Sequence, residues 1–271
     1  MTVGTVNANL EESWIRRFHP PSHGVVRSGE KPLVVLLPHA GGSASYFHPL
    51  SAALADRCEA VCVQYPGRQD RRKEALIDSI PEIARQLVPV LEGLGTRPLI
   101  LFGHSMGASV AFELARALST GAALPSGGSV RVAGLIVSAR GAPSIVRNFG
   151  IHRLDDDGLV AEVRALAGTS AEVLVDDELI RMVLPAIRND YRAAERYVFD
   201  GGSPIGIPIV GMTGQRDPRV RPEDLDGWAE HTDAGFDLIV LPGGHFYLTE
   251  HVEITASVIV DSVDRFVGGR Q

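Results

Sequence analysis

A serine flanked by glycines carries the clearest chemistry in this chain. Gly103-His104-Ser105-Met106-Gly107 reads G-x-S-x-G, with the apolar run Pro98–Phe102 before it and an alanine-rich, helix-like stretch after it. Glycines at that spacing permit a tight, strained turn between a strand and a helix, which lifts the serine Oγ clear of a sheet. The helix that follows directs its N-terminal dipole at the place where an oxyanion would form. The pattern predicts Ser105 as a nucleophile rather than a helix cap. Ser109, one turn along, is predicted to be a packing residue.

A nucleophilic serine needs a base, and in the chain order that accompanies this turn the base comes last. That order sets aside every histidine up to His104. Of the later ones, His152 falls in an expected insertion, His231 in a polar loop with no strand before it, and His251 inside the expected last helix. His245 follows the apolar run Phe236–Leu241 through Pro242-Gly243-Gly244, on the same sheet edge as Ser105. His245 is the expected base. The expected acid orients that imidazole. The run Val132–Ser138 ends in Ala139-Arg140-Gly141, with no carboxylate before Asp155. The next run, Ile207–Thr213, leads into Gly214-Gln215-Arg216-Asp217-Pro218, so Asp217 is the expected acid, with Glu223 and Asp224 as competitors.

The loop Pro38-His39-Ala40-Gly41-Gly42-Ser43-Ala44 is built of small residues that let backbone N–H groups approach a ligand. The expected oxyanion donors are the N–H of Met106, next after the nucleophile, and that of Ala40, with Gly41 the alternative. No Gly-Lys-Ser/Thr follows the loop, and it is not G-x-G-x-x-G, so nucleotide binding has no support. No H-E-x-x-H or Cys/His cluster points to a metal, and no cofactor is expected.

These residues need a scaffold. Short, nearly continuous apolar runs recur at Leu33–Leu37, Ala60–Gln64, Pro98–Phe102, Val132–Ser138, Ile207–Thr213 and Phe236–Leu241. That pattern predicts strands of a parallel sheet buried on both faces. Helix-like stretches lie between them at Tyr46–Ala55, Ser79–Leu94, Met106–Leu118 and Glu250–Phe266. The alternation predicts a doubly wound α/β domain spanning 1–271. From Ile145 to Pro204 no strand is expected. Helices at Asp155–Leu166, Asp176–Met182 and Pro185–Tyr197 predict a helical insertion, a candidate lid over the site. Its apolar residues Val163, Leu166, Leu174, Leu179, Met182, Val183 and Leu184 are candidates for an acyl tunnel or for lid packing.

The 271 residues include 26 Lys+Arg and 33 Asp+Glu, for a formal charge of −7. A net acidic chain is a poor candidate for wrapping nucleic acid or an anionic membrane. No apolar run approaches the ~20 residues of a membrane span, and residues 1–17 hold no apolar signal core. Cys58 and Cys62, too far apart along a strand to bridge, are expected to be buried reduced thiols. These readings predict a cytoplasmic enzyme.

Taken together, the motifs resemble the type II thioesterases, free-standing α/β-hydrolases that accompany polyketide synthases and nonribosomal peptide synthetases. Trp14-Ile15-Arg16-Arg17 looks like the family's N-terminal segment, and Leu37 to Ala44 like its oxyanion loop. Tyr65-Pro66-Gly67-Arg68-Gln69-Asp70-Arg71 matches its Y-P-G-R-x-x-R segment, which generic lipases lack. Leu184-Pro185-Ala186-Ile187-Arg188-Asn189-Asp190-Tyr191 resembles its lid signature, with Asn189 in place of a usual small residue. Gly243-Gly244-His245-Phe246 resembles its terminal histidine motif. The resemblance implies an α/β-hydrolase fold: a mostly parallel central sheet, helices on both faces and a helical lid insertion at 145–204. It also implies hydrolysis of acyl thioesters from the phosphopantetheine arm of acyl or peptidyl carrier proteins, either clearing aberrant acyl groups or releasing products. Carrier proteins are typically acidic, so Arg68, Arg71 and Arg72, beside Lys73, are candidate docking residues. The alternative for this cluster is a solvated loop with local carboxylate partners, and for Arg68 a structural role, because it follows a tight Pro-Gly turn.

Overall fold

The computed structural model describes residues 10–20, 31–95, 97–119, 130–146, 148–167 and 177–268. Seven strands form one sheet: β1 (Ile15–Arg16), β2 (Leu33–Leu37), β3 (Glu59–Val63), β4 (Leu99–His104), β5 (Val132–Ser138), β6 (Ile209–Gly214) and β7 (Phe236–Leu241). Their spatial order is β1-β3-β2-β4-β5-β6-β7. All neighbours pair in parallel except β1, which runs antiparallel to β3. The expected runs coincide with β2 to β7 within two residues at either end. The two-residue strand β1 carries no pattern that periodicity could detect.

Beyond a helical segment at residues 10–14, the described residues form α1 (His48–Leu54), α2 (Ile80–Glu92), α3 (Met106–Ser119), α4 (Asp156–Ala167), α5 (Asp177–Arg196), α6 (Tyr247–Glu250) and α7 (Val252–Gly268). Strand alternation sorts the core into two layers. Leu33, Val35 and Leu37 of β2, with Leu99 and Leu101 of β4, pack with α2 and α3. Val34 and Leu36, with Ile100 and Phe102, face the other way and pack with α1 and α7. Both faces of β2 to β6 are buried. β7 differs from expectation: it is an edge strand with a half-exposed pattern, and Val240 is 43% exposed. Its continuous apolar run resembles a buried strand, and periodicity alone does not distinguish the two.

The segment between β5 and β6 carries α4 and α5. Two expected helices, Asp176–Met182 and Pro185–Tyr197, are one: α5 runs through Pro185; Asp176 lies outside the described residues. Proline removes the bond to the carbonyl four residues back, here that of Arg181. Both residues lie on the exposed face of the helix, where the loss of that bond leaves no buried polar group behind. Leu184 packs with Ile151, Leu159 and Ile180 in a small separate core, whereas Met182 is 73% exposed. Leu174 and the side chain of Leu179 lie outside the described residues.

Cys58 and Cys62 are free and buried. Burial pushes the Cys58 thiol up to about 11 and the Cys62 thiol up to about 12, so both are poor nucleophiles. No described helix is long and apolar enough to cross a membrane.

Candidate active site

The turn between β4 and α3 has the geometry its glycines predict. Ser105 sits at φ +55°, a left-handed conformation rare for a residue with a Cβ. Its N–H donates to the Ser138 carbonyl at 2.8 Å, which ties the turn to the end of β5. The flanking glycines are needed for space. A Cβ on Gly103 would lie 2.2 Å from the Gly107 carbonyl oxygen, and one on Gly107 would lie 2.1 Å from that of Leu37. Gly107→Ala therefore forces backbone apart at the sheet's centre. It is expected to cost about 3 kcal/mol or more, lowering the melting temperature by about 6–12 °C in a thermal melt.

His245 lies in the loop after β7, 3% exposed. Its Nδ1 is 2.8 Å from Asp217 Oδ2. A carboxylate only accepts, so Nδ1 carries the proton and Nε2 keeps its lone pair. Asp217 also accepts at Oδ1 from the N–H groups of Arg219 (2.8 Å) and Val220 (3.2 Å). It is thus both a turn aspartate and the histidine's partner. The competitor Asp224 spends its carboxylate on Arg221, accepting its backbone N–H at 2.8 Å. Beside His245, His104 is fully buried and His39 is half-buried. Burial, and then the nearby His245, holds both below the usual histidine range, His39 at about 3. Both stay neutral near pH 7 and add no charge beside His245. His104 Nδ1 is hydrogen-bonded to Ser138 Oγ at 2.9 Å, which in turn pairs with Tyr247 OH at 2.6 Å.

Ser105, His245, Ala40 and Met106 all line one cavity of about 240 Å³. Met106 opens α3, where first-turn N–H groups have no intrahelical acceptor. The N–H of Ala40 has no hydrogen-bond partner among the described residues. The alternative donor Gly41 is already engaged: its N–H donates to Asp190 Oδ2 at 2.7 Å. The far walls come from the segment between β5 and β6, including Val163, Leu166, Val183, Ile187 and Tyr191. Contacts tie this segment to site loops. Asp190 meets the Ala40 loop, Glu162 pairs with Arg219 beside Asp217, and Arg140 donates to the Ala194 carbonyl at 3.3 Å. Glu195, also on the cavity wall, accepts the N–H groups of Ile151 (2.9 Å) and His152 (3.2 Å) and pairs with the His152 ring.

The docking cluster divides. Arg68 and Arg71 are each 7% exposed, which corrects their reading as docking residues. Arg68 pairs with Asp190. Arg71 stacks on Trp14 at 4.4 Å, donates to the Gln64 carbonyl at 2.8 Å and pairs with Glu74. Charge patterning reads a basic run as a surface, but a guanidinium can be buried when every donor finds an acceptor. Arg72 and Lys73 are exposed. Asp190 was not singled out in the sequence, although a signal existed. It stands at helical spacing among Ala186, Ile187, Ala193 and Ala194, on the apolar face of α5, and a carboxylate there requires a partner.

Comparison with known proteins adds to this geometry. A family model described as "Thioesterase domain" matches residues 32–263. The chain belongs to the thioesterase family. It is 46% identical over 238 residues to "Thioesterase PikA5" of Streptomyces venezuelae, covering 88% of this chain and 80% of the relative. It is 42% identical over 250 residues to "Probable cadicidin biosynthesis thioesterase" of Streptomyces griseus. That match covers 92% of this chain and 66% of the relative, just under two thirds of its length. Among solved structures, the type II thioesterase BorB from the borrelidin biosynthetic cluster superposes with a TM-score of 0.82 at 48% identity, covering 92% of this chain and 97% of BorB. The thioesterase thus groups with the type II enzymes, α/β-hydrolases that cleave thioesters and accompany polyketide and nonribosomal peptide pathways.

Proposed function

We propose that this thioesterase hydrolyses acyl groups held as thioesters on the phosphopantetheine arm of carrier-protein domains, through an acyl-enzyme on Ser105. The observation that carries the reading is the convergence on one cavity of a strained Ser105 and a His245 whose Nδ1 is held by Asp217. His245 takes the Ser105 proton as Oγ attacks the thioester carbonyl. The N–H groups of Met106 and Ala40 hold the oxyanion. The pantetheine thiol leaves with a proton from His245. Water activated by His245 then releases the acid and regenerates the serine. Residues 145–204 act as a lid whose apolar side chains receive the acyl chain, within a single domain.

Hydrolysis rates on matched acyl-carrier, acyl-CoA and oxygen-ester substrates test the reading. It expects the highest kcat/KM on the acyl-carrier protein. A preference for small oxygen esters would make the enzyme a carboxylesterase instead. Docking now rests on the exposed Arg72 and Lys73. Arg72→Glu is expected to raise KM for an acyl-carrier substrate by roughly three- to tenfold at low salt, with the effect shrinking as salt rises. KM for a small thioester should not change. Arg71→Glu, by contrast, should impair both substrates through lost stability.

A further inference from the structure

The loop that bears Ala40 is held from one side of the molecule by one set of residues. Tyr65 OH donates to the Pro38 carbonyl at 3.4 Å, and Gln64 Oε1 accepts the Ala44 N–H at 2.8 Å. Between these two points stand Arg68 and Asp190, whose side chains are 6% and 1% exposed. The pair is bidentate: Nη1 to Oδ2 at 2.6 Å and Nη2 to Oδ1 at 3.0 Å. Both partners also grip the loop backbone. Asp190 Oδ2 accepts the Gly41 N–H at 2.7 Å, and Arg68 Nη1 donates to the Gly42 carbonyl at 3.0 Å. A Cβ on Gly41, at φ +77°, would lie 2.5 Å from Ile187 on the same helix as Asp190, so loop and helix meet without slack.

We propose that the buried Arg68–Asp190 pair is a latch that sets the oxyanion loop, making Arg68 and Asp190 positioning residues for the Ala40 donor. The proposal rests on the reading of Ala40 as an oxyanion donor. A buried ion pair is weak evidence of stabilisation, because desolvation offsets most of the attraction. Its four hydrogen bonds, two within the pair and two to the backbone of Gly41 and Gly42 next to Ala40, point instead to geometry. The donor must stand within hydrogen-bond reach of an oxygen that becomes charged only in the transition state. Displacing it by about 1 Å can cost on the order of 100-fold. Asp190 lies on the lid helix, so the same latch makes the donor's position depend on where α5 sits.

The test compares Asp190→Asn with the double variant Arg68→Met/Asp190→Leu, which replaces the pair with apolar groups and removes both backbone contacts. In each, kcat on an acyl thioester is expected to fall roughly 10- to 100-fold while KM stays within about twofold. Affinity for a trifluoromethyl ketone analogue of the acyl group, which forms an oxyanion on Ser105, should fall by the same factor as kcat/KM. A merely structural role predicts that losses track the melting temperature. A double variant that melts like the parent and turns over like the parent would overturn the latch. So would kcat losses not mirrored in affinity for the ketone. Ser105→Ala, measured alongside, separates the two levels. Turnover there would defeat the nucleophile assignment itself, whereas an inert Ser105→Ala with a fully active Asp190→Asn defeats the latch alone.

Discussion

Ser105→Ala is expected to lower thioester turnover by about 10⁴–10⁶-fold, the range seen when a serine nucleophile is removed, with melting temperature almost unchanged. In the proposed mechanism the reaction divides a difficult hydrolysis into two acyl transfers, and both pass through Oγ. Without that atom, only the oxyanion donors and the binding of the acyl group remain. The fold has little to lose. The contacts that form the turn are made by backbone and by the flanking glycines: the Ser105 N–H on Ser138, the Ala108 N–H on the Ser105 carbonyl at 3.0 Å, and the close approaches at Gly103 and Gly107. Alanine bears a Cβ as serine does, so φ +55° is no more strained than before. A thiol-release assay on an acyl thioester, with a thermal melt of the same sample, checks both halves. Retained turnover in a folded Ser105→Ala would remove the basis of the mechanism. Parallel loss of folding would mean that the hydroxyl also stabilises the turn.

What was legible in the sequence follows the reach of local rules. The strands at Leu33–Leu37, Val132–Ser138 and Phe236–Leu241 were readable to the residue, because each is an apolar run closed by Pro, Gly or a small polar residue. The turn at Ser105 was readable because the requirement for two glycines is written within five positions. The continuous helix through Pro185 was not, since the proline penalty depends on whether the freed carbonyl meets solvent, and only the fold decides that. The fate of the basic run was hidden for a related reason. Arg68 and Arg71 find their acceptors at Asp190, Gly42 and the Gln64 carbonyl. Asp190 is 122 residues from Arg68 in the chain. A local reading of charge cannot anticipate a partner contributed by the segment between β5 and β6. Asp217 and His245, 28 residues apart, come within hydrogen-bond reach because each follows a strand, and parallel strands deliver their following loops to one edge.

Asp217→Asn is the second large effect, expected at roughly 10³–10⁴-fold in kcat, and it tests the one hydrogen bond that fixes the histidine tautomer. Asp217 receives three donors: the Arg219 and Val220 N–H groups at Oδ1, and His245 Nδ1–H at Oδ2. Asparagine has one oxygen and one NH₂. Turned so that the oxygen serves the two backbone donors, it presents NH₂ to Nδ1. The imidazole must then accept there and carry its proton on Nε2, where it cannot take one from Ser105. Turned the other way, the NH₂ meets the buried Val220 N–H and the half-buried Arg219 N–H and leaves both unpaired, at a cost of about 1–3 kcal/mol for the buried one. The first arrangement is therefore favoured, and the variant folds with its base in the wrong tautomer. The signature is a large fall in kcat at nearly unchanged KM, with partial recovery as pH rises and hydroxide replaces the lost base. Asp224→Asn, which touches the Arg221 cap rather than His245, should retain most activity. If the Asp217 and Asp224 variants lost activity equally, the carboxylate that serves His245 would have to be sought elsewhere.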